Sequence, residues 1–126
     1  MLAAVRGLTS VRLRGQRDAF GALLETFVFS EILKLMAASD MQLTLYHFRD
    51  HQMRAVDIVV ERDDGLIAGV EIKASATAGS GDFGGLRTLD QTCGKRFAYG
   101  VVLYDGTDVV PFGERLAAAP WSSLRI

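Results

Sequence analysis

An α/β fold with a mixed sheet flanked by helices is predicted by three observations. A helical apolar period over residues 18–38 gives way to a two-residue period after residue 42. A second short helical stretch then interrupts the strands. At 126 residues, with 49% apolar and 23% charged side chains, the chain has the size and composition of one globular domain. Residues 1–17, with arginines at 6, 12, 14 and 17, read as a lead-in segment, and residues 18–126 as a single α/β domain.

In the first helix, Phe20, Leu23, Leu24, Phe27, Val28 and Leu35 recur at three- and four-residue steps and form one broad stripe. Phe29, Ile32 and Met36 widen it, so the helix is buried on more than one side. Asp18 or a neighbour starts it and Ser39-Asp40 closes it. Glu25 and Glu31 lie in this apolar helix, and buried acids need partners or a chemical task. Glu31 falls mid-stripe and reads as a structural acid bonded to backbone or to Arg49, and Lys34 as a helix-end cation.

Strands follow at 43–48, 56–61 and 66–73, then a Gly/Ser/Ala-rich connection over 74–81. Residues 83–92 suit a short helix with Leu86 and Leu89 inward, and 97–104 a strong strand. Asp105-Gly106 is a hairpin signal before a strand at 109–112, which Pro111 assigns to a sheet edge. The tail around Trp121 should fold back onto the sheet, and Tyr46, Phe48, Tyr99 and Tyr104 read as strand core. Cys93 reads as buried.

Several classes are set aside at once. Fourteen basic against fifteen acidic side chains give a formal charge of −1, so bulk charge does not mark a nucleic-acid binder. A single cysteine cannot close an internal disulfide and suits a reduced, cytoplasmic setting. No apolar run approaches the ~20 residues of a spanning helix, and the first residues lack the pattern of a secretion signal. His47 and His51 are on a strand end and in a turn, which is not the helical spacing of a zinc pair. The glycine-rich 79–85 stretch reads as a flexible connection rather than a phosphate loop.

The chemistry concentrates in residues 55–73. Asp63-Asp64-Gly65 suits a three-residue hairpin loop with Gly65 at positive φ. If Arg62 then faces Leu66, Asp57 lands opposite Glu71, with Lys73 two residues further on the same face. Val56, Ile58, Val60, Val70 and Ile72 take the other face. Two facing carboxylates repel unless a cation lies between them, and hard oxygen ligands suit Mg²⁺ or Mn²⁺. An adjacent lysine can orient or activate water, or stabilise charge on phosphoryl oxygens. The parts suit metal-assisted phosphodiester hydrolysis; the simpler alternative is an ion-pair cluster on an exposed sheet face.

Asp57 and Glu71-Ile72-Lys73 on a hairpin, preceded by a helix containing Gly21–Glu25, resemble the PD-(D/E)XK nuclease superfamily. That resemblance implies a restriction-endonuclease-like core of helix, three strands, helix and strand. The runs Phe20–Lys34, Leu45–Asp50, Val56-Asp57, Val70–Ser75 and Gly100–Gly106 together are similar, over residues 18–124, to one bacterial and archaeal family. It is the uncharacterised C-terminal domain found behind AAA-type ATPase modules.

The resemblance implies Glu25 as the helix carboxylate, Asp57 and Glu71 as metal ligands, and Lys73 as the catalytic lysine. Glu25 would be an auxiliary ligand or base; its alternative is a helix carboxylate paired with an arginine. The sequence departs from the pattern at Val56, where the founding motif has proline, and at Ala55, where the family usually has glutamate. No G-x-x-x-x-G-K-[ST] loop occurs, so ATP binding by that route is excluded and any ATPase would lie in a longer protein or a partner chain. Two functions follow as expectations. One is a Mg²⁺- or Mn²⁺-dependent nuclease acting on DNA. The other is a non-catalytic nuclease-fold module that docks on an AAA-type ATPase or forms a homodimer.

Overall fold

The computed structural model describes residues 8–10, 28, 31, 34 and 42–124. Its frame is a seven-stranded mixed sheet of order β1-β2-β3-β4-β5-β7-β6. The strands are β1 (Leu8–Ser10), β2 (Leu43–Arg49), β3 (Ala55–Arg62), β4 (Ile67–Ile72), β5 (Phe97–Tyr104), β6 (Val110–Gly113) and β7 (Leu116–Pro120). Between β4 and β5 lie a 3-10 turn, Ser80–Phe83, and the helix α1, Gly84–Cys93. β1 to β4 form an antiparallel meander, β4, β5 and β7 run parallel, and β6 returns antiparallel on the far edge. The chain is thus α/β with a mixed sheet, as its periodicity predicts.

Alternation sends side chains to two covered faces. On one, Val59, Ile67 and Val102 pack with Leu86 and Leu89 of α1, and with Phe83 and Phe97. On the other, Ile58, Val70, Ile72 and Leu103 pack with Val28. Val28, Glu31 and Lys34 are helical, and their burial falls off in that order. Val28 is fully buried, Glu31 is 9% exposed, and Lys34 reaches the surface. Glu31 finds its partner one turn along its own helix, accepting from Lys34 Nζ at 3.0 Å. Among the described residues, Lys34 is thus the partner shown for Glu31, where the sequence suggests backbone or Arg49.

The hairpin between β3 and β4 has the predicted form. Arg62 N–H donates to Leu66 O and Gly65 N–H to Arg62 O, both at 2.9 Å, and Gly65 adopts φ +96°. The ladder runs from Glu61↔Ile67 to Ile58↔Val70. On its other edge, β3 pairs Val59 with Tyr46 but Val56 with Phe48. His47 alone therefore faces both Asp57 and Ile58, a β-bulge. The bulge corrects one expectation: Val56 leaves the Ile58 face and joins Val59 and Phe48 on the α1 side.

Three further differences have physical causes. Asp105-Gly106 does not close a hairpin, because β7 occupies the parallel slot beside β5 and β6 pairs with β7 instead. β7 carries almost no strand signal: its Leu116, Ala117 and Ala118 are small or compact residues buried between neighbours on both sides. Three residues of the 1–17 segment form β1, paired to β2 through Leu8↔Phe48. Pro111 lies on the edge strand, as expected, and Trp121 packs against the Ile58–Val70 cluster. Phe48 and Tyr104 are core and Tyr46 is half-buried, whereas Tyr99 is 44% exposed beside the extra residue Ala98 in the β4–β5 register.

Candidate active site

The bulge and the hairpin meet where β3 and β4 diverge. Beyond Ile58↔Val70 the backbone ladder stops, and two carboxylates carry on the pairing. Asp57 N–H donates to Glu71 Oε1 at 3.0 Å, and Ile72 N–H donates to Asp57 Oδ2 at 2.9 Å. The expected direct pairing of Asp57 with Glu71 is thus replaced by a side-chain link, and the two acids still meet. Asp57 is 4% exposed and Glu71 half-buried. His47 Nδ1 lies 3.4 Å from the Asp57 carbonyl, which can only accept, so the bond requires the proton on Nδ1.

Glu71 alternates with Val70 and Ile72, so it points to the α1 side. There a cleft of about 420 Å³ is lined by Asp57, Glu71 and Lys73, with Arg54, Ala55 and Asp82 around them. Lys73 N–H donates to Leu103 O at 2.8 Å, which fixes its backbone against β5. Its amine turns to Asp82: Nζ donates to Oδ2 at 2.6 Å. The same Oδ2 accepts the Gly79 N–H at 2.8 Å. Burial pushes the Asp82 carboxyl up, but the Gly79 N–H and the Lys73 ammonium outweigh it, and the net shift is downward.

The three charges Asp57, Glu71 and Lys73 therefore line one cleft, as the hairpin register predicts. Glu25 lies outside the described residues. The 79–85 stretch is organised rather than a loose connection, since Ser80–Phe83 forms a turn with Phe83 fully buried. Sequence reading missed the Asp82–Lys73 ion pair, although an aspartate three residues after Gly79 can reach back to the Gly79 N–H, as it does here. His51 is exposed. Cys93 is half-buried, and burial pushes its thiol up against the lowering pull of Arg96.

Asp57 and Glu71 supply hard carboxylate oxygens, and one oxygen of each already accepts a backbone N–H. Among the described residues, no group of three or more His, Cys, Asp or Glu side chains is placed to hold a metal. Two carboxylates fit Mg²⁺ or Mn²⁺, ions that keep much of their sphere as water and phosphate; they do not fit a zinc site or an all-protein cage.

Residues 20–124 match the family described as a domain of unknown function, DUF4143. The chain belongs to that family. The match takes in β2 to β7, α1 and every residue of the cleft, so the site lies wholly within the DUF4143 domain. Comparisons with curated proteins and with solved structures found no match. Among the described residues, no helix is long and apolar enough to cross a membrane.

Proposed function

We propose that this DUF4143 domain is a PD-(D/E)XK-type nuclease with a restriction-endonuclease-like core, hydrolysing phosphodiesters, with DNA as substrate. The reading rests on the meeting of Asp57 and Glu71 beside Lys73 in one cleft. Asp57 and Glu71 would hold Mg²⁺ or Mn²⁺, with Glu25 as the third carboxylate that the resemblance implies. Such an ion, when bound, polarises a phosphoryl oxygen and makes water a better nucleophile.

The chain's own groups do the rest. Asp57 and Glu71 keep their separation because each is bonded to the opposite strand. The Lys73 ammonium offers donors to the phosphoryl oxygens as negative charge grows on them. Water oxygen bonds to phosphorus, the bond to the leaving sugar oxygen breaks, water loses a proton to solvent and the leaving oxygen gains one. The products are a phosphate monoester and a hydroxyl.

Incubation with plasmid and with single-stranded DNA in Mn²⁺ tests this, using Asp57→Asn as the control. Cleavage by the wild type, lost in the variant, is expected; equal nicking by both would identify a contaminant and sink the reading.

One observation favours a second reading. Ala55 lines the cleft where the resemblance expects a carboxylate. A domain with one acid fewer suits a docking role on an AAA-type ATPase module, or self-association. Metal-independent melting, unchanged in Asp57→Asn, would support it.

A further inference from the structure

We propose that Asp82 is a positioning residue that tethers the Lys73 amine at the edge of the cleft and keeps it from collapsing onto Asp57 and Glu71. The proposal rests on the nuclease reading for its catalytic consequence, while the tether itself can be measured separately.

The geometry sets the case. The Lys73 backbone is fixed by its bond to Leu103 O, but four side-chain torsions remain between Cα and the amine. An untethered ammonium beside two carboxylates would move toward them, neutralise the pair and occupy the space a divalent cation needs. Asp82 supplies the competing anion at 2.6 Å. Among the described residues it is the side chain to which this amine bonds.

Asp82 is itself held. Its Oδ2 accepts the Gly79 N–H, Phe83 anchors the turn in the core with its ring 4.7 Å from that of Phe112, and Arg87 Nη1 donates to Ser80 O at 2.8 Å. A charged group on a braced turn fixes a flexible lysine in the way a supporting shell fixes a reacting group. The opposing effects on the Asp82 carboxyl, with their net downward shift, agree with an anion at neutral pH.

Asp82→Asn separates the tether from the turn, because its amide oxygen still accepts the Gly79 N–H while the negative charge that holds the Lys73 ammonium is lost. The chain has three lysines, 34, 73 and 95, so Lys95, exposed, is an internal reference. In an Asp57→Asn/Glu71→Gln background, which removes the competing carboxylates, trace acetylation read by mass spectrometry should show the Lys73/Lys95 ratio rising at least about fivefold on adding Asp82→Asn and staying unchanged on adding Asp82→Glu. With Mn²⁺ and DNA, kcat should fall roughly tenfold in Asp82→Asn with KM changed less than about twofold, and recover in Asp82→Glu.

An unchanged acetylation ratio overturns the tether, and a raised ratio with unchanged kcat overturns its role in positioning. If Asp82→Asn melts early, the Asp82→Glu comparison carries the test, and a Glu variant that behaves like a charge deletion overturns the proposal. Absence of wild-type cleavage defeats the nuclease reading alone, since the acetylation ratio still decides whether Asp82 holds the amine.

Discussion

Asp57 and Glu71 each hold the other's strand: the Asp57 N–H donates to Glu71 Oε1, and Asp57 Oδ2 accepts the Ile72 N–H. The acids that would bind a cation thus also close the sheet where the backbone ladder ends. Asp57→Asn keeps an oxygen for Ile72 and should change stability little. Asp57→Ala leaves a buried N–H without its acceptor and should lose about 1–3 kcal/mol in urea denaturation. Equal losses in both variants would show that charge, and not the hydrogen bond, holds the strands together.

Gly85 sets how closely α1 approaches the start of β3. A Cβ there would stand 2.0 Å from the Ala55 carbonyl oxygen, whereas one at Gly84 would meet nothing within 4 Å. Backbone cannot swing aside like a side-chain tip. Gly85→Ala should therefore destabilise by about 1–3 kcal/mol, as overpacking does. Gly84→Ala, at helical φ −56° and ψ −48°, should be neutral or stabilising by up to about 1 kcal/mol. Urea melts of the two variants give the comparison, and matched effects would refute the close approach.

The features legible in the sequence are those set by local chemistry. Gly65 after two aspartates specified the loop, the loop specified the register, and the register placed Glu71 and Lys73 on one face with Asp57 near them. The Asp57–Ile58 bulge was not legible, because it arises from how β2 matches β3, and no residue type in either strand marks it. β7 was missed for a related reason. An Ala-rich run has weak strand preference, and only burial between β5 and β6 makes it a strand. The pairing of Asp82 with Lys73 is not legible either, because it depends on the Ser80–Phe83 turn bringing Asp82 back over β4.

Asp64 should titrate abnormally low. The Arg62 guanidinium bonds its carboxylate through Nε at 2.9 Å, the Leu66 N–H adds a second bond, and together they hold it at about 2 against an ordinary 3.8. A carboxyl depressed in the fold stabilises it above its unfolded value, and that contribution disappears as pH falls from 3.8 toward 2. Side-chain NMR titration should place the wild-type inflection near 2 and move it up toward 3.8 in Arg62→Ala. The hairpin should persist in that variant, because Arg62 N–H and O bond through the backbone. An ordinary inflection in the wild type would show that the ion pair does not form in solution.

Among the described residues, Arg54 is the exposed cation that lines the cleft beside Lys73. It lines the cavity, its side chain is 51% exposed, and its ion pair with Asp50 is long, at 3.4 Å. The turn that carries it is firm, since Asp50 Oδ1 accepts both the Gln52 and the Arg54 N–H. Removing the side chain should therefore leave stability within about 0.5 kcal/mol of wild type. If a phosphodiester enters here, binding of a fluorescent oligonucleotide, followed by anisotropy in the Asp57→Asn background, should weaken in Arg54→Ala whatever its sequence. The plot of log affinity against log salt should flatten by about one unit, the signature of one lost phosphate contact. An unchanged slope would place the phosphates away from Arg54 and remove this cleft mouth from the nucleic-acid path.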